Sequence, residues 1–152
     1  MKLGEALKLR SDNFKKIDEL RARAVASAQV QEGTQAPDSA AKLLEDIERL
    51  SAETKDLVQR INRTNVTVNL ASGQTLADAI VERDFRISLR SQLDAVAKAA
   101  AEPTQRYLRS EIRVVRTVEP AALREREDVL AREARLLDVA IQEANWSNDL
   151  IA

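Results

Sequence analysis

The sequence predicts a mainly α protein built from four long helices, and three observations carry that expectation. Ala, Leu, Arg and Glu dominate a chain of 152 residues of which 32% are charged, the composition of helices with solvated outer faces. Glycine and proline number three each, and all but Gly4 fall between the candidate helices or, as Pro120, at the start of one. Apolar side chains recur at steps of three and four over long windows, which is the period of a helix face.

From Leu3 to about Val30, the residues Leu3, Leu7, Phe14, Ile17, Ala24 and Ala28 share one face and define the first helix. Gly33 and Pro37 end it and turn the chain. Asp38 or Ser39 can cap the second helix. Its seam, Leu43, Ile47, Leu50, Thr54, Leu57 and Ile61, advances by alternating steps of four and three, a heptad widened by Leu44 and Val58. Helices of this length are each about 40 Å long and should pair antiparallel as an αα-hairpin over residues 1–66. Leu43, Ile47, Leu50, Leu57 and Ile61 then form a core or an oligomer seam.

The stretch QRINRTNVTVNLASGQTL, residues 59–76, interrupts the helical pattern. Val66, Val68 and Leu70 alternate with Thr67 and Asn69, so a short strand is predicted over 65–70. Ala71-Ser-Gly73 supplies a turn, and Thr75 with Asp78 resembles a capping box. A lone strand leaves its backbone unpaired, and its partner is predicted at 111–118, EIRVVRTV, as a small two-stranded ribbon; extended loops are the alternative. Between them a third helix runs from about Leu76 to Ala101, with Leu76, Ile80 and Ile87 on one face and Phe85, Leu89, Leu93 and Val96 on another. Glu102-Pro103 ends it. Glu119-Pro120 opens the fourth helix, whose stripe of Leu123, Leu130, Ala134, Leu137, Ile141 and Ala144 carries it to about Ala144. The expected fold is a single domain in three parts, 1–66, 67–118 and 119–152, arranged as an antiparallel coiled-coil-like bundle with the ribbon attached.

Composition also restricts function. Twenty-four basic and twenty-five acidic residues nearly cancel, so no strong field draws in nucleic acid or an anionic membrane. Four aromatic residues, Phe14, Phe85, Tyr107 and Trp146, make no stacking platform for bases. The absence of cysteine and histidine removes disulfides, the commonest zinc ligands and the usual base near neutral pH. Any catalysis would rest on carboxylates, Lys, Ser or Thr, or Tyr107; with no phosphate loop or nucleophile elbow, the expectation is a protein without enzymatic activity, cofactor or metal. MKLGEALKLR lacks the apolar block of a signal peptide, and no run of about 18 apolar residues occurs, so a soluble, cytoplasmic protein is expected.

One constellation stands out. Residues 106–116 hold four arginines and one acid, and Arg83, Arg86 and Arg90 lie on the third helix. Guanidinium forks suit phosphate or carboxylate, so an anion site is one reading; the other pairs these arginines with Glu125, Glu127, Asp128, Glu133 and Asp138 of the fourth helix. Arg83-Asp84 sits where the third helix should be apolar and could set register at an interface. Asn62, Arg63 and Asn65 either cap and turn the backbone or line a polar pocket.

MKLGEAL at 1–7, INRTN at 61–65, TLADAIVERD at 75–84, RSEI at 109–112 and QEANW at 142–146 together resemble a bacterial family of small helical proteins without an established function. Similar proteins are sometimes labelled septicolysin, and some occur in integron gene cassettes. That label implies a pore-forming toxin, whereas a single tryptophan and no membrane-directed segment argue against one. The resemblance implies no catalytic residues, but its motifs draw attention to Asn62, Arg63, Asn65, Arg83, Asp84, Arg109, Ser110, Glu111, Asn145 and Trp146, to which the basic segment adds Arg113. Long heptad helices offer more apolar surface than one chain covers, so a homodimer or larger oligomer serving a structural or interaction role is expected, with another protein as an alternative partner. A small-molecule or anion binder using the Arg and Asn residues is the rival.

Overall fold

In a computed structural model that describes residues 1–102 and 115–152, the chain forms four helices: α1 (Leu3–Ala26), α2 (Ala40–Thr67), α3 (Leu76–Ala101) and α4 (Pro120–Ser147). The described residues divide into two compact units, one comprising Met1–Leu76 with Gln142–Ala152 and the other Ala77–Ile141.

In the first unit α1 and α2 form an antiparallel hairpin. Helix α1 stops at Ala26, earlier than its apolar period suggests, where the Ser27 amide returns to the Arg23 carbonyl at 3.0 Å. Gly33 turns the loop with φ of 83°, a region that side-chain-bearing residues avoid. Ser39 caps α2, its Oγ accepting the Lys42 amide at 3.4 Å. Asp38 does not cap; it takes the Arg23 fork, Nε to Oδ2 at 3.0 Å and Nη2 to Oδ1 at 2.7 Å, which holds the end of α1 to the start of α2.

Leu20, Ala24 and Leu43 are buried between these helices with Ile47 and Leu50 packed against them, and Leu57 and Ile61 are buried further along α2. The heptad seam is therefore used as core inside one chain. At its middle the buried Thr54 Oγ1 accepts Asn13 Nδ2 at 3.1 Å and donates to the Leu50 carbonyl at 2.7 Å. A polar pair in an apolar seam is satisfied in one register only, so it pins the alignment of the hairpin. Phe14 beside it is half exposed and lines a groove of about 380 Å³ with Ile17, Thr54 and Val58.

The predicted strand at 65–70 is not present, and neither is the ribbon. Helix α2 continues through Thr67, its last turn closed by the Val68 amide on the Thr64 carbonyl at 2.9 Å, and Thr64 and Thr67 donate their hydroxyls to the carbonyls of Arg60 and Arg63, each at 2.8 Å. Asn69 instead bridges Thr75: Leu76 donates to the Val68 carbonyl at 2.8 Å and Leu70 to Gln74 at 2.8 Å, around Gly73 with φ of 83°. The extended residues thus find partners a few positions away rather than forty. Residues 115–118 are irregular, and 111–114 lie outside the described residues. Among the described residues there is no strand, only this bridge and a second between Lys2 and Asp149.

That second bridge ties the chain's two ends together. Leu3 donates to the Asn148 carbonyl at 3.0 Å and Leu150 to Met1 at 2.9 Å. Lys2 Nζ reaches the Ser147 carbonyl and the Asp149 carboxylate, both at 3.0 Å. The Ile151 amide donates to Thr64 Oγ1 at 3.2 Å, and Arg60 Nε to the Ile151 carbonyl at 3.1 Å. Leu3, Ala6, Ile61, Thr64, Leu76, Ala144 and Leu150 are buried at this end, and α4 runs on to Ser147 to reach it.

In the second unit α3 and α4 are antiparallel, since Arg83 pairs with Asp138 and Arg86 with Glu133. Ala79, Ala97, Leu123, Ala134 and Ile141 are buried, as is the polar Glu127. Pro120 opens α4 as its first residue, where no amide is needed.

Candidate functional site

The charged residues of the α3–α4 hairpin are arranged on its two flanks. On one flank the Arg83 guanidinium donates Nη1 to Asp138 Oδ1 at 2.9 Å, and Nε and Nη2 to Asp84 Oδ1 at 2.9 and 2.8 Å. Partial burial disfavours its charge, but the hydrogen bonds to Asp84 and Asp138 outweigh that and hold its pKa above the ordinary arginine value. On the other flank Arg86 donates Nε to Glu133 Oε2 at 2.9 Å and also pairs with Glu82. The Glu133 hydrogen bond raises the Arg86 pKa further than burial lowers it. Arg83 and Arg86 therefore follow the pairing reading of the sequence.

Beside Arg83 lies a groove of about 540 Å³, lined by Arg83, Asp84, Ile87, Arg90, Leu130, Ala131, Ala134, Arg135 and Asp138. Arg90 and Arg135 contribute from the two helices, and neither has a hydrogen bond or ion pair among the described residues. On the opposite flank a shallower groove of about 390 Å³ is bounded by Leu89, Glu125, Arg126, Val129 and Leu130. Exposed apolar side chains adjoin it: Phe85 is 73% exposed, and Leu89, Val96, Val129 and Leu136 are also open to solvent.

The remaining residues singled out in the sequence are not gathered here. Asn62 and Arg63 are exposed and Asn65 is half-buried, all within the last turns of α2 in the first unit. They neither cap nor turn the chain. Asn145 is buried in the same unit, and its Oδ1 has no hydrogen-bond partner among the described residues. Trp146 is 57% exposed, but its ring lies against Gly4, where an added Cβ would sit 2.9 Å from Cδ2 and Cε2. Gly4 is thus the floor of the tryptophan seat, which accounts for two of the sequence motifs meeting. Arg109, Ser110, Glu111 and Arg113 lie outside the described residues. Sequence reasoning overlooked Arg135 and Ile87 as groove residues; the spacing Ala131, Arg135, Asp138 on one face of α4 was the available signal.

Glu127 is a further buried polar residue, one turn from Leu123 on the inner face of α4, with Oε1 unpartnered. No cluster of three potential metal ligands occurs among the described residues, and no described helix is long and apolar enough to cross a membrane.

Fold and site define a four-helix, mainly α protein whose distinguishing surface is a helical hairpin carrying paired charges and open apolar side chains. The chain belongs to a family of unknown function, DUF6847, which it matches over residues 10–150. It is similar to the crystal structure of a functionally unknown conserved protein from Corynebacterium diphtheriae, with 38% sequence identity, 99% of each chain covered and a TM-score of 0.91. Comparison with curated proteins gives no match. Neither similarity carries the septicolysin label or a link to integron cassettes.

Proposed function

We propose that the protein is a non-catalytic helical module of the cytoplasm that assembles with copies of itself through the flank of α3–α4 bearing Phe85 and Leu89. The observation that supports this is the set of exposed apolar side chains at helical spacing on both helices of one hairpin: Phe85, Leu89 and Val96 on α3, Val129 and Leu136 on α4. Steps of four and seven place them in stripes, the pattern of a seam rather than of scattered surface residues.

The dimensions suit a second copy. A hairpin flank about 39 Å long and about 20 Å across offers roughly 800 Å², the share per partner of a standard interface. Of the charges bordering the stripes, Arg86 is already paired with Glu82 and Glu133, and Glu125 and Arg126 on the same flank cancel in formal charge, so a like flank meets little unbalanced field. A two-fold arrangement would place α3 and α4 of each copy in one antiparallel four-helix bundle, with Phe85 and Leu89 as its central layers.

The test is the mass of the intact protein by native mass spectrometry and light scattering, with the double variant Phe85→Glu, Leu89→Arg alongside. Wild type is expected as a dimer or larger closed oligomer, and the variant as a monomer with unchanged helical circular dichroism. A wild type that stays monomeric up to roughly 100 μM, well above the dissociation constant of about 1 μM that corresponds to −8.2 kcal/mol, would overturn the proposal.

A further inference from the structure

We propose a second property on the opposite flank of the same hairpin: the groove between Arg90 and Arg135 binds an amphipathic monocarboxylate, an alkyl or aryl acid whose carboxylate meets the two guanidinium groups. The site is separate from the self-association surface. Ile87 is two residues from both Phe85 and Leu89, about 160° around α3 from each, so a copy seated on one flank leaves the groove open.

Charge selects the ligand class. Arg83 is held by Asp84 and Asp138, at 2.8 to 2.9 Å, so its charge is already balanced by two carboxylates and three of its five N–H donors are taken. Arg90 and Arg135 line the same groove from facing helices with no partner among the described residues. Three arginines and two aspartates leave the lining at a formal charge of +1. One carboxylate brings it to zero, whereas a phosphate dianion would exceed it and face Asp84 and Asp138. A carboxylate also matches the planar guanidinium fork.

Shape selects the body. Below the charges the lining is Ile87, Leu130, Ala131 and Ala134, with Ala134 buried and Ile87 open to solvent. A volume of about 540 Å³ lies within the range of small-molecule sites, roughly 300–1,000 Å³. A head held by two arginines, with its chain on an apolar floor, satisfies both halves of the groove. It also covers the Ile87 side chain.

Titration calorimetry of the full chain with octanoate, 1-octanol and inorganic phosphate tests the proposal. Octanoate is expected to bind saturably, once per chain, with octanol and phosphate at least tenfold weaker. Arg90→Gln and Arg135→Gln remove groups that are exposed and unpaired, so both variants should melt like wild type while binding octanoate at least tenfold more weakly. Ile87→Ser should also weaken octanoate, and Arg63→Gln in the other unit should not. No saturable octanoate binding, equal binding of octanol, or Arg variants that bind like wild type would each overturn it. Because the Phe85→Glu, Leu89→Arg variant keeps the groove, octanoate binding there separates this inference from self-association.

Discussion

The α1–α2 and α3–α4 hairpins are built from helices of similar length, yet they are held together differently. In the first, the middle of the interface is apolar side chains around one Asn13–Thr54 pair, with Arg23–Asp38 clamping the loop end. In the second, the cross-helix contacts at the middle are ion pairs, Arg83–Asp138 and Arg86–Glu133, while Phe85 and Leu89 are open to water. Burial in the apolar seam stabilises the first hairpin on its own account, although a groove of about 380 Å³ lined by Phe14, Ile17, Thr54 and Val58 stays open along it. Partly exposed ion pairs contribute little net energy but fix direction and register. The contrast separates a hairpin joined by a buried apolar seam from one joined by partly exposed ion pairs.

The largest expected effect comes from the hairpin with the apolar seam. Ile61→Ala should cost about 2–5 kcal/mol in urea unfolding, through lost burial and a cavity. Val139→Ala, on an exposed position of α4, should stay within about 0.5 kcal/mol. Similar losses at both positions would break the comparison. Gly4→Ala comes next: its Cβ would collide with Trp146, so a loss of about 1–3 kcal/mol is expected, with a red-shifted and more quenchable tryptophan emission. Unchanged emission would mean that the ring does not rest on Gly4.

Arg83→Met should be milder, at most about 1 kcal/mol, because the pairs with Asp84 and Asp138 are partly exposed. Its signature is faster amide exchange confined to α3 and α4, with wild type approaching the variant as salt is raised.

The smallest effect depends on pH. Hydrogen bonds from Arg23 hold the Asp38 carboxyl below its ordinary value of 3.8, so the folded state releases this proton more readily than the unfolded chain. The resulting stability is fully present above the ordinary value and is lost as pH falls through the lower folded one. Arg23→Ala should therefore remove a small acid-dependent part of the melting curve below about pH 4 and leave its slope above pH 5 unchanged. The same variant at neutral pH should not alter oligomer mass.

How far the fold could be read from the sequence follows the same division. The seam Leu43 to Ile61 was legible because a heptad records burial directly, and Gly33 and Gly73 marked turns because both positions need positive φ. Phe14 was legible as sharing a face with Ile17, where both border a groove with Thr54, but the Asn13–Thr54 hydrogen bond was not, because periodicity counts apolar residues only. The strand at 65–70 was misread because alternation over six residues is shorter than the helix that absorbed it, and threonine hydroxyls can serve helical carbonyls. Among the site residues, Arg83 and Asp84 were visible as charges inside an apolar period. The remote partner Asp138 became identifiable only once antiparallel pairing set α3 against α4, and the groove lined by Arg135 and Ile87 is a property of two helices together.

The bridge between Lys2 and Asp149 has a consequence for how the protein is made. The α1–α2 hairpin needs only contacts between neighbouring helices and can close while the rest is still being synthesised. The amide of Leu3 and the carbonyl of Met1 must wait for Asn148 and Leu150, nearly the whole chain later. Until then Leu3, Ile61 and Leu76 lack the tail that covers this end, and the nascent chain exposes one apolar mouth. A circular permutant opened at the Gly33 loop, with Ala152 joined to Met1 by a short linker, would bring these partners out in succession and make the α1–α2 pairing the distant one instead.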